Sequence, residues 1–290
     1  MNWQPDWGLR LRMGITMFLL FGLYVVFVGV LATQFDNLLI PVVLLGSFSL
    51  VQYFFSDRLA LRSMGATRVE PSEYPGLHDR VGRLSQQADL PKPDVAVADG
   101  RTPNAFATGR SPDSAVVCVT TGLLEALDDE ELEGVLAHEL AHVKNRDVAV
   151  MTIASFLSTI AFLVVRFGWL FGGRNRDGAP VIVAIVVSLV VWVVSFLLIR
   201  ALSRYREFAA DRGAATITGR PSALASALAT ISGRMDRVPE EDLREQAEMN
   251  AFFIIPISTG IVGRLARTHP PTEKRIEQLR ELEREMETVA

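Results

Sequence analysis

The stretch Leu136-Ala137-His138-Glu139-Leu140-Ala141-His142-Val143 decides how the rest of this chain is read. Two histidines stand four residues apart, with a glutamate next to the first. Asp128, three residues before Glu131, forms a helix-start signature upstream. Apolar Val135, Leu136 and Leu140 predict a helix buried along one side. On such a helix, a spacing of four sets both imidazoles on one face, one turn apart, where both reach one metal ion. Imidazole nitrogen suits Zn²⁺, and two histidines leave places for a third protein ligand and a water. Glu139 lies beside the pair and is placed to take a proton from that water. The chain has only four histidines, so two of them in one motif raise its specificity.

Outward from the motif, apolar blocks alternate with charged ones. Of the 290 residues, 49% are hydrophobic and 21% charged. That mixture excludes intrinsic disorder and predicts segregation between lipid and water. Four apolar stretches match the ~20 residues that a helix needs to cross a bilayer core. They run from Ile15 to Thr33, Leu38 to Phe55, Val148 to Val165 (with a continuation past Arg166 to Gly173) and Val181 to Ile199. Pro41, Gly46, Ser47 and Ser49 interrupt the second. The first is too long for a signal peptide and passes almost directly into the second, which predicts a retained hairpin. Arg10 and Arg12 precede the first stretch, Arg58 and Arg62 follow the second, and Arg200, Arg204 and Arg206 follow the fourth. This bias puts both termini and residues 56–147 on the cytoplasmic side; Arg174 and Arg176 run against it. The net charge of -4 argues against a nucleic-acid partner.

A third ligand for the metal comes from Glu131, Glu133, Asp147, Glu207, Asp211 or His269. His142 stands six residues before the third apolar stretch, and Glu207 eight after the fourth. If those two stretches form an antiparallel hairpin, both residues lie roughly 9–12 Å beyond the apolar boundary on the same side. This singles out Glu207. Glu131 is two turns from His138, Glu133 is on another face, and Asp147 points a different way. Asp211 shares the helix face of Glu207 and suits the acceptor that a metal-bound histidine usually finds for its other N–H.

The polar sequence falls into two parts, 56–147 and 200–290. The first opens on a helix from Tyr74 to Ala88. Short strands follow at Val95 to Ala98, Ala105 to Thr108 and Val116 to Thr120, punctuated by prolines and glycines. The second part reads as mostly helical, with a charged amphipathic end from Leu279 to Glu287. Cys118, the single cysteine, excludes an intramolecular disulfide and a cysteine-rich zinc site; its apolar flanks predict a buried strand thiol. His78 reads as a surface residue.

The run Thr121-Gly122-Leu123-Leu124 through His138-Glu139-Leu140-Ala141-His142, then Asn145-Arg146-Asp147, resembles the HtpX family of membrane zinc endopeptidases. So do Arg206-Glu207-Phe208-Ala209-Ala210-Asp211 and Thr268-His269-Pro270-Pro271. The resemblance covers nearly the whole chain. It implies an α+β membrane protein with four transmembrane helices and a mainly helical gluzincin catalytic domain carrying a small β-sheet. It implies one Zn²⁺ per chain, held by His138, His142 and Glu207, with Asp211 behind a zinc-bound histidine and Glu139 as the base. Asn104-Ala105-Phe106-Ala107 resembles the family's edge strand, to which an extended substrate can add. His269 resembles a residue near the zinc that stabilises the oxyanion. The implied substrates are polypeptides, damaged membrane proteins among them, and the implied location is the cell membrane.

The expected layout is an N-terminal segment 1–14, a hairpin 15–55, a first catalytic part 56–147, a second hairpin 148–199 and a second catalytic part 200–290. CAAX-type prenyl endopeptidases share the motifs but have more spans. A site-2-type intramembrane protease carries its motif inside a span, whereas here Lys144, Asn145, Arg146 and Asp147 follow it and belong at a water interface. A non-enzymatic scaffold is disfavoured because base and ligands are all present.

Overall fold

The computed structural model describes residues 7–34, 47, 50–51, 53–167, 179–235 and 269–289. The chain divides into two compact units, one built from Trp7–Phe54 and Ala149–Tyr205, the other from Phe55–Val148 and Arg206–Ala290.

The first unit is helical. It holds α1 (Trp7–Gln34), nearly all of α6 (Asp147–Phe167) and the first part of α7 (Ala179–Thr218). Its core is Leu20, Phe27 and Leu31 packed with Ala154, Ile160, Ala161, Ala184 and Val191. Its outside is as apolar as its inside: Phe18, Phe21, Val26, Ile153, Ile182, Val190 and Leu197 are all exposed. An apolar exterior over helices of this length suits lipid, because each helix satisfies its own backbone groups. Three helices among the described residues are long and apolar enough to cross a membrane: Trp7–Thr33, Asp147–Arg166 and Val181–Thr218. The expected second span, Leu38 to Phe55, lies mostly outside the described residues, as does the continuation from Gly168 to Gly173. Two contacts between helices of the unit are made by buried hydroxyls. Tyr24 Oη donates to the Ala154 carbonyl at 2.7 Å, and Ser195 Oγ lies 2.9 Å from Ser158 Oγ.

The second unit is α+β. Its elements are α2 (Ser56–Ser63), β1 (Ala66–Arg68), α3 (Pro75–Gln87), β2 (Asp94–Ala98), β3 (Ala105–Thr108), β4 (Val116–Thr120), α4 (Thr121–Ala126), α5 (Asp129–Lys144), the end of α7, α8 (Pro221–Met235) and α9 (Thr272–Val289). The sheet order is β1-β2-β4-β3, with β2 and β4 parallel and the other pairs antiparallel. Both central strands are covered on two faces, which is why they read as unbroken apolar runs. Val95, Val97, Val117 and Val119 face the main core with Leu132, Val135, Leu136 and Leu140 of α5. Ala96, Ala98, Val116 and Cys118 face a smaller core with Ala60, Leu61 and Phe106. Cys118 is fully buried, and burial, with Glu139 nearby, pushes its thiol up to about 12. β1 was not expected; Ala66 is half-buried and Thr67 and Arg68 are exposed, so they carry no alternation, and pairing with β2 alone makes them a strand. β3 lies at the sheet edge, as the motif requires.

The capping box forms as read. Asp128 Oδ1 accepts from the Glu131 N–H at 2.8 Å, and Glu131 Oε2 accepts from the Asp128 N–H at 3.3 Å. The other Glu131 oxygen accepts from Ser226 Oγ at 2.6 Å and Thr230 Oγ1 at 3.0 Å, tying α8 to α5. At Gly134 the two helices meet backbone to backbone, since a Cβ there would lie 2.8 Å from Leu224 N. Gly134→Ala is therefore expected to destabilise this unit by about 1–3 kcal/mol through overpacking. A thermal melt of the purified variant checks this, and an unchanged midpoint would show that α8 shifts freely.

His78 departs from its expected surface position. It is buried in α3, and its Nε2 lies 3.0 Å from the Val69 carbonyl. One hydrogen bond to a loop carbonyl lets the ring turn inward.

Candidate metal centre

The α5 helix brings His138 and His142 together as its periodicity dictates. Their ring centroids are 4.6 Å apart with planes at 90°, and their Nε2 atoms are 3.0 Å apart. Glu207 arrives from α7. Its Oε2 lies 3.6 Å from His138 Nε2, and its Oε1 lies 3.5 Å from His142 Nε2. Ligand-capable atoms of His138, His142 and Glu207 all fall within 4.8 Å of one another. All six named candidates for the third ligand can now be placed. Glu131 caps α5, and Glu133 pairs with Arg80 and Arg83. Asp147 stands next to His142, Asp211 next to His138 and His269 next to Glu207.

The outward nitrogens define the donor set. His138 Nδ1 lies 3.0 Å from Asp211 Oδ1, and His142 Nδ1 lies 2.5 Å from Asp147 Oδ2. A carboxylate at each Nδ1 assigns the N–H to that side and turns each Nε2 lone pair to the shared point. Two imidazole lone pairs and a carboxylate converging there form a donor set that a divalent cation satisfies. The residues therefore fit a metal ion.

The electrostatics agree. Burial alone would depress the His138 ring, but hydrogen bonds to Asp211 and Glu207 hold it up at about 9. Burial, with the charge of His138, pushes His142 down to about 4, since two rings this close do not both charge. Burial raises the Glu139 carboxyl above the ordinary carboxylate range, against the pull of both histidines.

Glu139 meets the sheet edge. Its Oε2 accepts from the Ala107 N–H of β3 at 2.8 Å. Ala107 therefore points its N–H away from β4, and alternation does the same for Ala105. Asn104 is fully buried, with its N–H donating to Thr120 Oγ1 and its carbonyl accepting from the Thr120 N–H, both at 2.9 Å. Its placement is that of a residue anchoring the start of β3. His269 Nδ1 lies 2.9 Å from Glu207 Oε2, so the ring stands beside that carboxylate.

Three residues escaped the sequence reading. Asp147 was set aside as pointing elsewhere. Arg146 adopts φ 55° between α5 and α6, and the chain folds Asp147 back onto His142. Arg206 pairs with Asp147 and donates to the Asn145 carbonyl at 3.1 Å. Arg275, in the first turn of α9, grips Asp211 through Nε at 2.9 Å and Nη2 at 2.6 Å. Its Nη1 lies 3.2 Å from Glu207 Oε2. The Asp211 partnership was legible from the spacing of four after Glu207; the arginines had no such local signal.

Residues 71–283 match the family described as Peptidase family M48. The chain belongs to peptidase family M48. It is 56% identical to Protease HtpX homolog 2 of Methanosarcina acetivorans over 98% of this chain and 99% of that protein. It is 52% identical to Protease HtpX homolog 1 of Streptomyces coelicolor over 98% and 96% respectively. Its fold is similar to the crystal structure of S. mikatae Ste24p, with a TM-score of 0.56 at 18% identity, covering 94% of this chain and 66% of that one. This M48 peptidase is an HtpX-type zinc metalloprotease of the membrane, and polypeptides are its substrates. The two HtpX relatives match 98% of the chain at more than half identity, which favours that reading over the CAAX-type alternative.

Proposed function

We propose that this peptidase cuts internal peptide bonds with His138, His142 and Glu207 as the ligands of one Zn²⁺. The observation that carries the reading is the convergence of both Nε2 atoms and the Glu207 carboxylate on one point, with each Nδ1 backed by a carboxylate. Bound zinc would supply Lewis acidity toward the attacking water and the scissile carbonyl.

The chain's own groups do the rest. Glu139 takes a proton from the attacking water and delivers it to the leaving amine; its raised proton affinity suits both transfers. The edge of β3 that faces away from β4 is where an extended substrate would add as a strand, next to the Ala107 N–H that Glu139 holds. A substrate docked there meets Ala107, the residue whose N–H orients Glu139. Asn104 anchors the start of that strand. His269 is next to Glu207 and is suited to stabilise developing negative charge on the substrate carbonyl oxygen. Asp211 holds the His138 ring.

The arginine bias supports a cell-membrane protein with this site on the cytoplasmic side, and residues 38–55 as a further span. The likeness to HtpX-type proteases points to damaged membrane proteins among the substrates. The test is cleavage of unfolded casein by the full chain in detergent. Turnover should vanish with a zinc chelator and return on adding zinc. Cleavage indifferent to chelation would refute the metal's part, and bound zinc without turnover would favour a scaffold.

A further inference from the structure

Four carboxyl groups, Glu139, Asp147, Glu207 and Asp211, are buried within this one site. Glu207 and Asp211 stand four residues apart on α7, one helical turn, where two like charges repel. Desolvation strengthens that repulsion, because a low-dielectric interior screens charge poorly. A buried cation that reaches both acids offsets that repulsion and fixes the direction of each carboxylate.

Arg275 is such a cation. It is 1% exposed, among the most buried large side chains of the described residues. Two of its nitrogens take both oxygens of Asp211, and the third lies 3.2 Å from Glu207 Oε2. One planar fork thus reaches two carboxylates, something the single ammonium of a lysine cannot reproduce. The segment that delivers it is short. His269 and Arg275 bracket the start of α9, the Arg275 N–H bonds the Pro271 carbonyl at 3.2 Å, and both side chains touch the same Glu207 oxygen.

We propose that Arg275 is a positioning residue for the metal site: it sets the direction of the Glu207 carboxylate and, through Asp211, the His138 ring. This rests on His138, His142 and Glu207 being the ligands. The C-terminal helix α9 is then part of the metal site's scaffold, and Arg275 acts through Glu207 and Asp211 without being a ligand.

The test uses the full-length protein in detergent. Arg275→Lys keeps a buried charge and so carries the test, with Arg275→Met beside it. Zinc affinity is measured by competition with a chelating dye, and the Co²⁺-substituted protein is examined by visible absorption. Arg275→Lys should bind zinc about 10–100-fold more weakly, the range usual for partners behind metal ligands. Its Co²⁺ spectrum should change, and Arg275→Met should be weaker still. A merely structural arginine would lower the melting point and leave the affinity and spectrum of folded protein untouched. Glu207→Ala separates the two readings. If that variant keeps zinc, the ligand assignment falls and this proposal with it. If it loses zinc while Arg275→Lys binds within about twofold of the parent with an unchanged Co²⁺ spectrum, the Arg275 proposal alone is overturned.

Discussion

Glu139→Gln is expected to abolish proteolysis while leaving both the fold and the metal in place. The substitution changes one atom type in a buried side chain. Glutamine keeps an oxygen that can accept the Ala107 N–H, so the contact between α5 and β3 survives. It cannot take up a proton at that oxygen near neutral pH, so the transfer from water to the leaving amine fails. General acid–base catalysis contributes about 10²–10⁴-fold, which is about 3–5 kcal/mol of barrier. The expected pattern is a fall of that size in kcat, KM nearly unchanged, and one zinc per chain by elemental analysis. Casein cleavage at the parental rate, after host proteases are excluded, would show that another group is the base.

The second large effect falls on the metal itself. Glu207→Ala removes the carboxylate lying 3.6 and 3.5 Å from the two Nε2 atoms. Among the described residues, the two neighbouring acids are already turned to other partners. Asp211 is turned to His138 Nδ1 and Arg275, and Asp147 to His142 Nδ1 and Arg206. Zinc content should fall from one equivalent to near zero, and activity with it. The fold should persist because the Asp211–Arg275 pair still joins α7 to α9, and circular dichroism checks that point. A full equivalent of zinc retained in a folded variant would remove Glu207 from the ligand set. Together the two variants separate the base from the ligand, because one loses turnover with metal and the other loses the metal.

The sequence was informative where the physics is local. A four-residue spacing on a helix puts two side chains on one face whatever the fold, so His138 and His142 were legible at once. The same spacing placed Asp211 with Glu207, and the capping box at Asp128 rests on hydrogen bonds spanning only three residues. Apolar length marked four stretches as spans, and three helices among the described residues are long and apolar enough to cross a membrane. Glu207 was a partial exception. It lies 65 positions beyond His142 and was reached by assuming that two apolar stretches form a hairpin.

Other features were invisible for an opposite reason. An arginine in a charged segment defaults to the surface, because burying it costs several kcal/mol unless partners stand ready. Arg206 and Arg275 are buried only because Asp147, Asp211 and Glu207 meet them from distant segments. The contact of Asp147 with His142 was missed because it depends on a left-handed turn at Arg146, a residue type that rarely adopts one. β1 became a strand by pairing with β2, with no alternation of its own.

Sequence by itself determined the family, the placing of two imidazoles and Glu139 on one helix, and the apolar helices, since each depends on composition or on neighbours within one or two turns. Tertiary structure alone decided which acids back which ring, where the buried arginines go and which edge of the sheet faces Glu139. Those choices depend on charge compensation between segments far apart in the chain, a free energy that exists only once folding has removed the water between them.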